Sequence, residues 1–332
     1  MRVLFVTYLE FPLEIGGFQN QVRCIAKCLT DKGVQVEWYH IKDCDIQQYD
    51  IIHVFSSVPS LYPVIKKAHD LNIPVVLTPM LGSRCRSNSY YKAVMRLSAI
   101  PHFFSEYKYL KSILSSATFI TPLSQFEKNR ICEIANISSS KVIPIPNGIA
   151  DVFFEEDLDE IELPITDYMI VVGRIEKNKN QKTVINIANR HNINLLIVGE
   201  PGIGEHGYYE KCKSIAGPTV CFWGRETNLR RLKYLYKMAS VTVIPSYSEM
   251  VPLVVFESLK MKTPVVCTDR SSLACENIPG LIISGIDESV LNDNILRAYK
   301  MSQDTIGNKG IFSWKEIADS YYSVYEEVTS KS

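Results

Sequence analysis

Apolar, β-branched runs alternate with stretches of helical periodicity along almost the whole chain. Short apolar runs bounded by turn residues predict buried strands, and apolar residues three or four apart predict helices. Regular alternation of the two is typical of an α/β fold with a parallel sheet. The predicted strands are Val3–Leu9, Val34–Ile41, Ile51–Ser56, Pro74–Thr78, Thr118–Thr121 and Val142–Ile145, followed by Tyr168–Val172, Asn194–Val198, Val220–Trp223, Val241–Ile244 and Val265–Thr268.

Helices are predicted between several of these strands. The apolar stripe from Val22 to Leu29 ends at Gly33, a residue type that commonly stops a helix. The same pattern recurs from Phe126 to Ile134, and a third helix is predicted over Asn180–Asn189.

The length of 332 residues favours two domains, because domains commonly contain roughly 100–200 residues. Residues 151–166 are acidic and lack periodicity, so we interpret them as a linker. The first domain is then residues 1–150, and the second begins at residue 167. Because strands and helices alternate in both halves, each domain is predicted to be Rossmann-like and doubly wound.

Glycine or proline directly follows four predicted strands of the second domain. These residues are Gly173, Gly199, Gly224 and Pro245. The carboxyl edge of a doubly wound sheet brings such positions into one crevice, and ligands bind there. We therefore predict a cleft lined by Arg174, Glu249 and Glu257.

The segment from 246 to 266 places two glutamates, separated by seven residues, across the start of a predicted helix. Pro252 fits the first helical position, since its fixed backbone angle suits a helix and its missing N–H costs least there. Free amides near Val251, Leu253 and Val254 would then form an anion site at the positive end of the helix.

The two glutamates suit a ligand with hydroxyls at both ends and a diphosphate between them. Glu257 lies about 7–8 Å along the helix, at about 1.5 Å per residue, which is close to the distance from a diphosphate to a ribose. A carboxylate accepts two hydroxyl protons, so Glu257 suits the ribose and Glu249 suits hydroxyls at the other end. The alternative is a pair of solvated glutamates.

Basic and glycine residues near two other strand ends suit an anionic ligand. Arg174 and Lys179 would neutralise a diphosphate leaving group without a metal ion, although a solvated basic loop is the alternative. Gly16 and Gly17 lie between the first strand and first helix, where their backbone N–H groups can approach an anion or sugar. A plain tight turn is the alternative, and the spacing does not match the Gly-x-Gly-x-x-Gly fingerprint of a dehydrogenase.

The composition excludes several classes of protein. Net charge is zero, and residues 1–150 hold 16 Lys and Arg against 11 Asp and Glu, which is too mild an excess for a nucleic-acid binder. Nine cysteines without a Cys-x-x-Cys pair, and six scattered histidines, indicate neither a zinc site nor a disulfide framework. Asp43-Cys-Asp45 precedes a strand, so we interpret it as a solvated loop. No apolar run approaches a membrane span, and we expect a cytoplasmic protein.

Taken in order, these motifs resemble those of the GT-B fold glycosyltransferases of family 4, which are retaining enzymes that use nucleotide sugars. The matching residues are Gly16-Gly17, Thr121-Pro-Leu-Ser-Gln-Phe-Glu127, Ile145-Pro-Asn-Gly148, Gly173-Arg174, Lys179-Asn-Gln181, Gly199, Gly224, Pro245-Ser-x-x-Glu249 and Glu257. The tail at 312–332 resembles the closing helix that crosses back to the first domain, so the second domain would span residues 167–311.

The resemblance implies a GT-B enzyme in which two Rossmann-like domains face each other across a cleft. Glu257 would bind the ribose, Glu249 the transferred sugar, and Arg174 and Lys179 the diphosphate. Gly224 would precede the base-binding loop, with Arg225 and Glu226 near the base. Acceptors would dock mainly on the first domain, transfer would need no metal ion or other cofactor, and the departing diphosphate would deprotonate the acceptor.

Two departures from the family pattern affect this interpretation. Many relatives have glycines after the first glutamate, whereas this chain has Met250-Val251-Pro252, which narrows the space for the transferred sugar. Many relatives also carry a first-domain histidine near the sugar, but the segment Thr78–Gly82 has none. His102 is either its replacement or a loop residue without a role.

The segment 84–111 is basic, with Glu106 its only acid, and is interleaved with aromatic and apolar residues. It is either a surface for an anionic or lipid-linked acceptor at the inner face of the cytoplasmic membrane, or a solvated helical face. We predict transfer to a saccharide or lipid-linked acceptor in surface polysaccharide or glycolipid assembly. The alternatives are a nucleotide-sugar-binding subunit with little catalysis and a nucleotide-sugar epimerase.

Overall fold

The computed structural model describes residues 1–9, 11, 16–40, 44–81, 86–98, 100, 102–103, 105, 107–301, 306–307 and 310–330. The chain forms two compact units. The first comprises Met1–Gly148 together with Phe312–Ser332, and the second comprises Ile149–Ile311. The predictions made for Asp43, Gly82 and Glu106 lie outside the described residues, as do positions 84, 85, 99, 101 and 104 of the basic segment.

The first unit contains a five-stranded parallel sheet in the order β2-β1-β3-β4-β5. Its inner strands β3 and β4 are buried along their whole length, as expected for a parallel sheet covered on both faces. The strands are β1 Arg2–Val6, β2 Gln35–Trp38, β3 Ile51–Phe55, β4 Val75–Thr78 and β5 Phe119–Ile120, and the short β6 is Gly148–Ile149. The helices are α1 Gly17–Asp31, α2 Tyr62–Asp70, α3 Asn88–Leu97, α4 Leu110–Ser116 and α5 Gln125–Ala135.

The second unit contains a six-stranded sheet in the order β12-β11-β10-β7-β8-β9. All of its neighbouring strands are parallel. The strands are β7 Tyr168–Val172, β8 Asn194–Val198, β9 Val220–Gly224, β10 Val241–Ile244, β11 Val265–Thr268 and β12 Leu281–Ser284. The helices are α6 Gln181–His191, α7 His206–Ile215, α8 Leu229–Met238, α9 Leu253–Lys260 and α10 Glu288–Tyr299.

These sheets confirm the predicted α/β class, and the five strands predicted for the second unit match the observed ones to within a residue. One strand of the second sheet was not predicted: β12, a four-residue edge strand between Gly280 and Gly285. All the strands of the first sheet are shorter than predicted. β1 ends at Val6, because the chain then turns and the amide of Phe11 donates to the carbonyl of Tyr8 at 3.1 Å.

The strand predicted at Val142–Ile145 is wrong: the chain makes a single parallel bridge, between Ile120 and Val142. The amides of Ile143 and Ile145 donate to Ile120 and Pro122, each at 2.9 Å. Pro144 has no N–H, so it cannot contribute to a ladder on its other side. The segment therefore follows β5 as an edge without forming a regular strand.

The last helix, α11 Trp314–Ser330, follows the short strand β13 Phe312–Ser313 and belongs to the first unit. It is tied to the sheet by a buried polar network around His53 of β3. The two ring nitrogens of His53 contact the hydroxyl of Tyr325 at 2.5 Å and that of Thr78 at 3.0 Å. Burial lowers the pKa of His53 well below its usual range, so the ring is neutral at physiological pH.

The acidic segment 151–166 belongs to the second unit and packs against α8. Phe153 is buried, with its ring centroid 6.2 Å from that of Tyr236. Lys233 of α8 is also buried, and its ammonium donates to the carbonyls of Glu155 and Asp157. The first part of the segment interpreted as a linker is therefore docked on a helix. No helix in the described part of the chain is both long and apolar enough to cross a bilayer.

Candidate active site

The strand order of the second sheet changes direction between β7 and β10, because β8 and β9 lie on one side of β7 and β10 to β12 on the other. At such a switch point the connections that leave the strands diverge, and a crevice opens at their carboxyl ends. The loop after β7 carries Arg174 and Lys179, and the loop after β10 carries Glu249. The topology thus brings these three predicted residues to one edge of one sheet.

Three glycines at strand ends allow the backbone to pack closely beside this crevice. Gly199 donates its amide to the carbonyl of Gly224 at 2.8 Å. A Cβ on Gly199 would lie 2.0 Å from the carbonyl oxygen of Gly173, and Gly199 has a φ of +151°. Only glycine fits there, so the loops after β7, β8 and β9 are held together at the backbone level.

Lys179 and Glu249 form an ion pair at the centre of the candidate site. Ser246, which is completely buried, donates its hydroxyl to the same Glu249 oxygen, Oε1, at 2.7 Å. The carbonyl of Ser246 in turn accepts a 2.6 Å bond from the hydroxyl of Thr268. The Glu249 side chain is 11% exposed, and no partner is recorded for its Oε2 among the described residues. That oxygen can accept a hydroxyl proton from a ligand.

The approach of Lys179 to Glu249 follows from contacts between the two loops. Lys179 ends a short 3₁₀ helix, and Asn180 follows in the left-handed region at φ +53°, which asparagine tolerates well. The side-chain amide of Asn180 donates to the carbonyl of Pro245 at 3.2 Å. The amide of Tyr247 donates to the carbonyl of Asn178 at 2.8 Å. These bonds fix the relative positions of the loops that carry Lys179 and Glu249.

Arg174 is more exposed than Lys179 and is paired with a different carboxylate. Its guanidinium Nε lies 3.2 Å from Oε2 of Glu176, and its side chain is 58% exposed. Gln181, at the start of α6, donates its side-chain amide to the carbonyl of Arg174 at 2.7 Å. The backbone at Arg174 is therefore held, whereas its guanidinium lies in a solvated ion pair that an anionic ligand can replace.

Helix α9 starts at Leu253, one residue later than predicted. Pro252 has φ −68° and ψ 125°, so it precedes the helix in an extended conformation instead of occupying its first position. The proline ring sets only φ, and ψ is left to the loop. The carbonyl of Met250 accepts bonds from Ser271 and Ser272, each at 3.0 Å, which orients the entry to the helix. The first N–H groups of α9 remain the predicted anion site.

Glu257 is the fifth residue of α9, and its Oε2 accepts a 2.8 Å bond from the hydroxyl of Tyr236. Burial raises the pKa of Glu257 to about 7, and the bond from Tyr236 acts in the opposite direction. The carboxyl group therefore titrates near neutral pH, where an ordinary glutamate is fully ionised.

The remaining predicted residues lie in three separate segments of the chain. Val251 is buried, whereas Arg225 is exposed beyond β9. The carboxylate of Glu226 accepts hydrogen bonds from the indole N–H of Trp223 at 3.3 Å and from the backbone amide of Asn228 at 2.8 Å. Gly16 and Gly17 lie in the first unit, where Gly16 precedes α1 and Gly17 is its first residue.

No cluster of three or more His, Cys, Asp or Glu side chains suited to a metal ion occurs among the described residues. Three residues without a predicted role bond to predicted site residues: Ser246 to Glu249, Tyr236 to Glu257 and Glu176 to Arg174. Ser246 is part of the Pro245-Ser-x-x-Glu249 motif, and its position three residues before Glu249 could have indicated the contact. Tyr236 lies 21 residues before its partner on another helix, and no local pattern identifies it.

Residues 155–304 match the family of glycosyl transferases group 1. The chain is 27% identical over 308 residues to an uncharacterized glycosyltransferase of Methanocaldococcus jannaschii, covering 85% of this chain and 76% of that protein. It is 24% identical over 301 residues to the processive diacylglycerol alpha-glucosyltransferase of Acholeplasma laidlawii, covering 81% and 79%. Its fold resembles that of Anabaena HepE in complex with UDP and glucose, with a TM-score of 0.69, 14% identity and coverage of 98% and 100%. The chain has an α/β GT-B fold, and its relatives are glycosyltransferases.

Proposed function

We propose that this protein is a retaining glycosyltransferase of family 4 that moves a sugar, of the hexosyl class, from a nucleotide diphosphate sugar to a saccharide or lipid-linked acceptor. The observation that carries the proposal is the contact of Lys179 and Ser246 with Glu249 at the switch point between β7 and β10. A carboxylate in this position, beside the positive end of α9, can bind sugar hydroxyls while the diphosphate occupies the helix end.

The chemistry follows from where charge develops. The bond between the anomeric carbon and the diphosphate oxygen breaks, and a bond from the acceptor oxygen to that carbon forms on the same face. The acceptor proton passes to the released phosphate oxygen, so no side chain needs to act as base, and the acceptor oxygen is itself the nucleophile. Arg174, Lys179 and the first amides of α9 would stabilise the charge on the departing diphosphate. Glu257 would hold the ribose.

We propose that no divalent metal is needed, because Arg174, Lys179 and the first amides of α9 would together supply positive charge for the diphosphate. Adding UDP, GDP or ADP to the protein should raise its melting temperature, since about 2.7 kcal/mol of stabilisation is expected at a hundredfold excess of ligand over Kd. Adding EDTA at about 5 mM should leave this increase unchanged. Differential scanning fluorimetry with the three nucleotides and their sugars measures this. A shift that appears only with Mg²⁺ or Mn²⁺ would contradict metal independence, and no shift with any nucleotide would contradict the function.

The same nucleotide sugars then separate transfer from its two alternatives. Product analysis with saccharide and diacylglycerol acceptors should show sugar on the acceptor. Conversion of the nucleotide sugar without an acceptor would favour an epimerase, a class that also occurs on this fold. Binding without either transfer or hydrolysis would favour a nucleotide-sugar-binding subunit.

We further propose that a lipid-linked acceptor is met at the inner face of the cytoplasmic membrane, in assembling a glycolipid or surface polysaccharide. The diacylglycerol glucosyltransferase relative supports a lipid acceptor. In the described part of segment 84–111, the side chains of Leu97, Ile100 and Phe103 are exposed, and Lys108 and Lys111 lie nearby in the sequence. Apolar and basic side chains in one exposed segment suit an anionic bilayer surface.

Exchanging Lys108 and Lys111 for glutamine should weaken binding to anionic vesicles about thirtyfold, since each basic residue contributes about 1 kcal/mol near such a surface. Co-sedimentation with vesicles of phosphatidylglycerol and phosphatidylcholine measures the change. The matched control exchanges Lys66 and Lys141, which are exposed elsewhere in the first unit, and should change binding little. Wild-type binding that does not depend on anionic lipid would remove the proposal.

A further inference from the structure

Glu257, the glutamate predicted to bind the ribose, is itself held by a buried tyrosine. Its Oε2 accepts a hydrogen bond from the hydroxyl of Tyr236 at 2.8 Å. Among residues 107–301, no other residue donates a hydrogen bond to this side chain. We propose that Tyr236 is a positioning residue that orients the Glu257 carboxylate toward the ribose hydroxyls of a nucleoside diphosphate. This inference rests on the proposed function and names one more residue of its site.

Both ends of the Tyr236–Glu257 bond are fixed to regular elements. Tyr236 lies on α8 and is completely buried, and its carbonyl accepts the hydroxyl of Thr263 at 2.6 Å. On the other side, Ser258, the next residue of α9, contacts the hydroxyl of Thr242 on β10 at 2.5 Å. The carboxylate can thus rotate little, because its helix is anchored to the sheet and one oxygen is anchored to α8.

The hydroxyl of Tyr236 is more than a packing feature of the core. Phenylalanine would fill the same space without a polar atom, whereas a buried hydroxyl costs free energy unless it is bonded. A buried tyrosine hydroxyl can instead bond to the backbone. Tyr168 of β7 does so, since its hydroxyl donates to the carbonyl of Leu235 at 2.8 Å. Tyr236 instead uses a side-chain carboxylate at the candidate site.

One carboxylate oxygen is therefore committed to the protein, and Oε1 is left for the ligand. A glutamate without this anchor would sample several rotamers, and ordering it on binding would cost affinity. The bond also favours the ionised form of the carboxyl group, which accepts hydroxyl protons. Loss of the Tyr236 hydroxyl should weaken recognition of the ribose diol and leave the rest of the nucleotide unaffected.

The test compares nucleoside diphosphates with their 2′,3′-dideoxy forms in wild type and Tyr236→Phe. Calorimetric titration is carried out with UDP, GDP and ADP, and the tightest of the three is paired with its dideoxy form. Wild type should prefer the ribose form by at least about tenfold, as bonds to a charged group commonly provide. In Tyr236→Phe the ratio of the dideoxy Kd to the ribose Kd should fall about fivefold. The fall should come from weaker binding of the ribose form, with dideoxy binding unchanged.

Two further variants distinguish positioning from general loosening of the fold. In a Glu257→Gln background, Tyr236→Phe should change ribose binding less than twofold, because the two residues act through one bond. Tyr168→Phe is the matched control, since it removes a buried hydroxyl that holds α8 without touching Glu257. It should keep the full ribose preference.

Each outcome has one meaning. Tyr236→Phe that keeps the wild-type ribose preference, or that weakens both nucleotide forms equally, overturns the positioning role while the proposed function stands. Wild type that binds none of the three nucleoside diphosphates overturns both.

Discussion

Exchanging Glu249 for glutamine is expected to reduce kcat for sugar transfer by about 10²–10³-fold, the usual cost of removing one preorganised charge from a reacting centre. The substitution keeps the size of the side chain and a bond to Ser246, but it removes the charge that faces Lys179. Arg174→Ala should also abolish most turnover, because the guanidinium would no longer stabilise the diphosphate. Initial rates of nucleotide release and of product formation measure both effects.

The matched control for Glu249→Gln is Glu288→Gln. Glu288 is also an ion-paired glutamate of the second unit, with Arg190 as partner, but no function is assigned to it. Exposed pairs of this kind contribute little, about 0–1 kcal/mol, so activity should stay near that of wild type. Circular dichroism should show that every variant is folded. Undiminished transfer by both Glu249→Gln and Arg174→Ala would refute the site assignment.

Exchanging Gly199 for alanine is expected to destabilise the second unit by about 3–5 kcal/mol, because it combines a steric clash with a disfavoured backbone angle. The new Cβ would lie 2.0 Å from the carbonyl oxygen of Gly173, a backbone atom that cannot move aside alone. Relief of the clash would shift the loop that carries Arg174. Urea unfolding followed by circular dichroism measures the stability, and nucleotide titration measures the effect on the site.

Gly207→Ala is the control for this substitution in the same unit. Gly207 lies in the first turn of α7, and a Cβ there would meet nothing within 4 Å. Alanine favours a helix over glycine, so the variant should be as stable as wild type or up to about 1 kcal/mol more stable. An unchanged urea midpoint for Gly199→Ala would show that the loops after β7 and β8 do not pack as described.

Local patterns were sufficient to predict most of the fold. The apolar runs at Tyr168–Val172, Asn194–Val198 and Val241–Ile244 are strands with the predicted bounds. They were predictable because a strand buried on both faces consists mostly of apolar residues in succession, which is visible in the sequence. The pattern failed at Val142–Ile145, where the chain makes one bridge to β5 and Pro144 cannot donate on the other side, and at the short edge strand β12.

The candidate site was partly predictable for a similar reason. Residues that follow parallel strands share one edge of the sheet, so the positions of Arg174, Lys179 and Glu249 along the chain indicated a common crevice. Their pairing was not predictable. Lys179 contacts Glu249 and Arg174 contacts Glu176, because the loops are fixed by bonds between residues such as Asn180 and Pro245.

The sequence by itself determined the alternation of strands and helices and the glycines at the strand ends, since both follow from the chemistry of neighbouring residues. Only the tertiary structure decided that Lys179 and Ser246 both contact Oε1 of Glu249. It also decided that the hydroxyl of Tyr236 donates a hydrogen bond to Glu257. These contacts join residues as far as 70 positions apart. Their geometry depends on how helices and loops pack on the sheet, and no local periodicity records that packing.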